Sequence, residues 1–228
     1  MTAARRLLIF GKLPAPGRTK TRLAPALGFE GAAALYAAFL DDAVAVAGEL
    51  VGTPTELWVE PSQGARVTLT SRYPGLPLRL QSGGDLGTRL SHAFETSFGE
   101  GADHVVIVGS DHPTLPSQLL ERAFRALVGG HLVLGPTEDG GYYCVGLRRN
   151  AWPGAASLFE GVPWSTGEAL AVTIRNAERL GLCRVELPVW YDVDEPDALG
   201  RLARDVRPGT ATSIFLERSA REAGAVES

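Results

Sequence analysis

Residues 105–116 read Val-Val-Ile-Val-Gly-Ser-Asp-His-Pro-Thr-Leu-Pro, VVIVGSDHPTLP. The leading apolar run, rich in β-branched residues, predicts a strand buried on both faces, and Gly109-Ser110-Asp111 ends it. A helical pattern over 116–128 follows, opened by Pro116-Ser117. The same alternation recurs along the chain. RRLLIF (5–10), TELWVE (55–60), LPLRLQ (76–81), HLVLGP (131–136) and YYCVGL (142–147) read as further strands. Helical patterns occupy 28–51, 86–98, 166–180 and 195–204. Alternation of this kind predicts a single α/β domain over residues 1–211, three layers deep with a mostly parallel central sheet, and residues 212–228 as a C-terminal helix or flexible tail.

The totals agree with one domain, since 228 residues at 45% hydrophobic and 21% charged fill one ample core and fall short of two. The net charge of -4 and a pI near 5.6 argue against nucleic-acid binding, which requires a broad basic surface. The two cysteines, Cys144 and Cys183, lie far apart without a metal-ligand or redox spacing, so buried free thiols in a reducing compartment are expected. The N-terminal apolar run is too short for a signal peptide, and no later stretch reads as a membrane-spanning helix of ~18 residues. A cytoplasmic protein with no integral membrane segment is the expectation.

In an open α/β sheet, ligands bind beyond the carboxyl ends of the strands. Asp111, directly after a strand, is therefore a candidate ligand for Mg²⁺ or Mn²⁺, hard ions that take oxygen ligands and bridge phosphates; a helix cap or turn aspartate is the plain alternative. The neighbouring His112 reads more naturally as structural.

GKLPAPGRTKTR, residues 11–22, follows the first strand and holds Lys12, Arg18, Lys20 and Arg22 with no acid. The chain's two lysines are both here. Spacing and prolines rule out a Walker A loop, because Pro14 and Pro16 lack the amide hydrogens of a phosphate cradle. Side-chain cations must then carry any phosphate binding, and in an extended segment Arg18, Lys20 and Arg22 would share one side. A solvated basic loop is the competing reading.

Three further segments carry candidate residues. In WYDVDEPDAL (190–199), Asp192 and Asp194 share one side of an extended chain and could complete a metal site with Asp111, while Asp194 is also placed to cap the next helix. In GPTEDGGYYCVGL (135–147), Glu138 and Asp139 are candidates to orient or deprotonate an acceptor, and Gly140-Gly141 would permit either close approach to a ligand or a tight turn between strands. In QSGGDLGTRL (81–90), Asp85 near a cap position and Arg89 one turn later could meet a base or ribose.

In order, GKLPAPGRTKTRL, GGDLGTRL, VVIVGSDHPTLP, EDGGYYCVGL, LFEGVPWSTGEAL and WYDVDEPDAL resemble the bacterial radical-SAM/selenodomain-associated transferases, placed among nucleotide-diphospho-sugar transferase-like proteins of type-A glycosyltransferase fold. The resemblance covers about residues 5–205. It implies phosphate contacts from Gly11, Arg18, Lys20 and Arg22, metal ligation by Asp111 and Asp194 with Asp192 as alternate, and an acceptor loop of Asp139, Gly140 and Gly141. It also implies a transferase using a nucleotide-sugar, Mg²⁺ or Mn²⁺ and a small-molecule acceptor. Lys20 and Arg22 would stabilise the leaving group, Asp139 or Glu138 would activate the acceptor, and Trp164 would wall the pocket. Nucleotidyl transfer from a nucleoside triphosphate to a phosphorylated small molecule is the first rival, and a nucleotide-binding protein without turnover the second. Gly109-Ser110-Asp111-His112-Pro113 carries one acid where a DxD motif has two, which shifts weight onto the late aspartates.

Overall fold

The computed structural model describes residues 3–226. Seven strands, β1 (Arg5–Gly11), β2 (Thr55–Val59), β3 (Leu78–Leu80), β4 (His104–Gly109), β5 (Leu132–Pro136), β6 (Tyr142–Arg148) and β7 (Arg184–Glu186), form one sheet in the order β3-β2-β1-β4-β6-β5-β7. Neighbours are parallel at β3-β2, β2-β1, β1-β4 and β5-β7. Only β6 runs against the rest, because it joins β5 through a short turn, and a hairpin connection requires antiparallel strands.

The strand sequences are apolar on both faces because both faces are covered. Leu7 and Ile9 of β1 and Val106 and Val108 of β4 point to one side. There they meet α1 (Ala24–Gly48), α2 (Ala65–Arg72) and α4 (Ser117–Gly129). Leu8, Val105 and Ile107 point to the other, onto α3 (Leu86–Gly99), α5 (Trp152–Ala155) and α6 (Ala169–Arg179). This is period-2 alternation inside a three-layer sandwich. A third cluster joins α1 to α7 (Asp197–Asp205) and α8 (Ala211–Val226). Asp42 of α1 accepts hydrogen bonds from Ala211 N at 2.7 Å and Thr212 N at 3.0 Å, so α8 begins on a carboxylate belonging to α1.

Two expectations need correction. Cys144 is buried, but Cys183, beyond the end of α6 and just before the short edge strand β7, is exposed. The helical span Thr21–Gly48 is long and apolar enough to cross a membrane by length and composition, because its many alanines raise its hydropathy without forming a continuous bulky run. Leu35, Phe39 and Leu40 are fully enclosed by the protein, so much of its apolar face is spent in the core.

Candidate active site

The parallel strands β1, β4 and β5 end at the same sheet edge, and four segments meet beyond it. The first is the loop after β1. It is not extended: Arg18 N and Thr19 N both donate to Ala15 O at 3.1 Å, while the buried Thr19 hydroxyl donates to Leu13 O at 2.9 Å. Pro14, Pro16 and Gly17, with φ of 71°, suit these turns. Arg18, Lys20 and Arg22 therefore do not project side by side as an extended chain would have them. They still border one cleft of about 480 Å³, together with Lys12.

Lys20 has left-handed backbone angles, φ 51° and ψ 40°, and its side chain is turned inward, 5% exposed. Its Nζ lies 2.6 Å from Asp111 Oδ1 and also contacts Asp194 Oδ1. Burial alone would lower the Lys20 pKa, but Asp111 and Asp194 outweigh it and hold the ammonium above its ordinary value. Desolvation likewise pushes the Asp111 carboxyl up, and the Lys20 charge and hydrogen bond bring it net below the usual range.

The segment after β7 supplies Asp194. It crosses the sheet edge through Trp190 N to Pro136 O at 2.9 Å, Glu138 N to Trp190 O at 3.1 Å and Val193 N to Asp111 O at 3.2 Å. The capping alternative for Asp194 does not hold, because Pro196 occupies the N-cap of α7 and no side chain caps it. Asp192 comes to the same place, half-buried. Desolvation first, then the charges of Asp194 and Asp139, push its carboxyl up to about 6.

The β5–β6 turn supplies Asp139. Its Oδ1 accepts from Thr137 Oγ1 at 2.5 Å and Gly141 N at 3.0 Å, which pins the carboxylate and leaves Oδ2 open. Gly140 and Gly141 make the turn between strands, and Gly141 also lines the site. Gly140 has φ of 84°, and a Cβ there would collide with Gly167 O. Glu138 turns away: Arg201 Nη1 donates to both of its oxygens at 2.9 and 2.8 Å, while the guanidinium stacks 3.8 Å over Tyr191. Asp139 borders the 480 Å³ cleft and an adjoining pocket of about 160 Å³, with Asp111, Ser165 and Thr166 at the junction. Trp164 and Asp192 line the smaller pocket.

Besides Glu138, the expected contacts Gly11 and Asp85 are not brought into this site. Gly11 is packed under Tyr36, Leu40 and Ser110, where a Cβ would press on Leu40 at 3.2 Å. Asp85 caps α3, accepting from Thr88 N at 2.8 Å and Thr88 Oγ1 at 2.7 Å, and borders a different groove, because a carboxylate at that position satisfies an orphan amide of its own helix. His112 is held by Tyr191 O, 3.0 Å from Nδ1, as its structural reading requires.

Sequence reasoning picked out Trp164 but missed Tyr36 and, beside Trp164, Ser165 and Thr166. Tyr36 Oη accepts from Lys12 N at 2.9 Å and shares a 2.7 Å hydrogen bond with Ser110, tying the ends of β1 and β4 together. Ser165, with φ of 63°, and Lys20 are the two non-glycine residues with positive φ among those described, and both border the large cleft. Such backbone is costly and collects at functional sites. Pro163-Trp164-Ser165-Thr166-Gly167 offered a turn signal but no sign of that conformation.

The donor set suits a hard divalent cation whose remaining ligands come from substrate and water. Two carboxylates, Asp111 and Asp194, already converge on one cationic atom. No group of three acid, histidine or cysteine side chains forms a closed metal site among the described residues.

Residues 43–166 match a family described as uncharacterized proteins conserved in bacteria (DUF2064), more than half of the chain. No curated protein matches. Among solved structures, a "putative nucleotide-diphospho-sugar transferase" from Desulfovibrio desulfuricans G20 is 29% identical, with a TM-score of 0.88 over 96% of both chains. CMP:2-keto-3-deoxy-manno-octonic acid synthetase complexed with CTP shares the fold at 11% identity and TM-score 0.57, over 87% of this chain and 96% of the other. Rv0371c of Mycobacterium tuberculosis H37Rv, in complex with manganese, does so at 15% identity and TM-score 0.53, over 89% and 100%. The matched residues include the β4 end that carries Asp111 and the turn that carries Asp139, and the chain belongs to the DUF2064 family, with the nucleotide-diphospho-sugar transferase fold.

Proposed function

We propose that this protein is a divalent-metal-dependent transferase that takes a nucleotide-activated donor, a nucleotide-sugar, and passes its sugar to a small-molecule acceptor. The observation that carries the reading is the joining of two unlike spaces at Asp111 and Asp139: a large cleft bordered by Lys12, Arg18, Lys20 and Arg22, and a small pocket beside it. The neighbour from Desulfovibrio desulfuricans supports the donor class, and the manganese-bound Rv0371c supports the metal.

In this reading the cations bind the donor diphosphate. Asp111 and Asp194 would hold Mg²⁺ or Mn²⁺, which supplies charge neutralisation at the phosphate oxygens. Lys20 exchanges its carboxylate partners for phosphate as the donor enters. The acceptor hydroxyl or amine forms a bond to the sugar, the sugar–oxygen bond to the diphosphate breaks, and the acceptor proton passes to Asp139 Oδ2. Negative charge then grows on a phosphate oxygen facing Lys20 and Arg22, where fixed cations favour the transition state over the ground state.

Nucleotidyl transfer is the second reading, favoured by the CTP-bound synthetase that shares the fold. Product analysis separates the two. Incubation with Mn²⁺, a panel of nucleotide-sugars and nucleoside triphosphates, and an acceptor panel is expected to release nucleoside diphosphate. Release of pyrophosphate alone would replace the first reading with the second.

A further inference from the structure

The two spaces differ in charge. Lys12, Arg18, Lys20 and Arg22 border the large cleft with Asp111, Asp139 and Asp194, whereas the 160 Å³ pocket is lined by Asp111, Asp139, Asp192 and His112 with neither lysine nor arginine in its wall. Asp111 is neutralised by Lys20 from the cleft side. Asp139 and Asp192 make no ion pair among the described residues, and Asp139 keeps Oδ2 open. Carboxylates only accept hydrogen bonds, so they match hydroxyl and ammonium donors. A phosphate or carboxylate confined against them would meet like charge at short range, where repulsion is poorly screened. The other walls, Leu86, Tyr142 and Trp164, are apolar faces that suit the carbon skeleton of a polyol or amino alcohol. At about 160 Å³, a third of the volume of the neighbouring cleft, the pocket suits a compact group.

From this segregation of charge, and resting on the donor–acceptor reading above, we infer that the acceptor group entering the small pocket is a compact neutral or cationic hydroxyl or amine compound, not a phosphate ester or carboxylate. The pocket thus selects by charge against the phosphorylated acceptors that the basic cleft would otherwise attract.

The test uses the full chain saturated with Mn²⁺ and a nucleoside diphosphate, so that the basic cleft is filled before any acceptor is added. Calorimetry first measures nucleotide binding. Saturation-transfer NMR and calorimetry then compare matched pairs: glycerol with glycerol phosphate, ethanolamine with phosphoethanolamine, and inositol with inositol phosphate. The unphosphorylated member of at least one pair is expected to bind about tenfold tighter or more, one unit on the scale of a nearby charge. Asp192→Asn is expected to narrow that ratio, because Asp192 lines the pocket. Phosphate esters binding as tightly as their parents would overturn the inference, and so would binding by neither series. Loss of nucleotide binding with the pair preference intact would instead overturn the donor reading and leave this one standing.

Discussion

Lys20 and Asp111 stand on the loops after two adjacent parallel strands, β1 and β4, and meet with Nζ 2.6 Å from Oδ1. The contact joins the basic loop after β1 to the carboxylate after β4, the two proposed halves of the candidate site. Asp194 completes the triad from a position 174 residues away from Lys20.

The first prediction concerns what the ammonium does there. Lys20→Met leaves two carboxylates facing each other without a cation, so affinity for Mn²⁺ alone should rise by about tenfold or more, the scale of one pKa unit from a neighbouring charge. Nucleotide affinity should fall in the same variant. Asp111→Ala should abolish the divalent dependence of nucleotide binding altogether. Calorimetry with Mn²⁺ and with nucleotide reads each effect, and unchanged Mn²⁺ dependence in Asp111→Ala would remove the metal assignment.

Tyr36→Phe isolates the tie beneath that pair. The substitution deletes Oη and leaves the buried Ser110 hydroxyl and the Lys12 amide without their partner. An unsatisfied buried polar group costs about 1–3 kcal/mol. For a domain of this size that corresponds to roughly 2–4 °C of melting temperature per kcal/mol. Thermal unfolding should show the loss, and an unchanged melting temperature would mean that water replaces the phenol at no cost.

These relationships mark where the sequence was readable. Continuous apolar runs in β1, β4, β5 and β6 announce buried strands because both of their faces are packed. Three-residue β7, Arg-Val-Glu, has no such pattern and exists because β5 offers a parallel edge. Helix α2 buries only Ala65 and Leu69, too little for a periodic signal. At the site, Asp111 and Asp139 were legible as polar residues just beyond strands, and Asp194 as one of a group of acids ahead of a helix. Their partners were not: the inward turn of Lys20 depends on Thr19 hydrogen bonds to Leu13 and Ala15, and Glu138 is claimed by Arg201 from another helix.

A pH dependence follows from the opposite end of the sheet. His104, 6% exposed at the start of β4, sits in register between Arg5 on β1 and Arg148 on β6. Burial, then Arg148, with Asp103 opposing and Arg5 adding, holds its imidazole below the ordinary 6.5. Between the folded value and about 6.5 the unfolded chain binds more protons, so stability rises with pH through that window. The contribution is complete above 6.5 and shrinks as pH falls toward the folded value. Urea unfolding at about pH 7.5 and about pH 5.5 should show wild type losing more stability than His104→Gln, since the variant lacks this proton uptake. Equal losses would mean that the histidine titrates alike in both states.

The last prediction separates backbone strain from collision at the turn that carries Asp139. Gly140 and Gly161 both have positive φ, 84° and 66°, but a Cβ at Gly161 meets nothing within 4 Å, whereas at Gly140 it strikes the Gly167 carbonyl. Gly161→Ala should therefore cost only the left-handed penalty of about 1–2 kcal/mol. Gly140→Ala adds displacement of the 163–168 segment, whose helix α6 is joined to the turn by Leu170 N donating to Gly140 O at 2.9 Å. It should lose about 2 kcal/mol more. Because Ser165 and Thr166 border both spaces, Gly140→Ala should also weaken both acceptor and nucleotide binding. Unfolding curves and ligand titrations on the two variants read both effects, and equal destabilisation would show that the loop yields freely to the added methyl group.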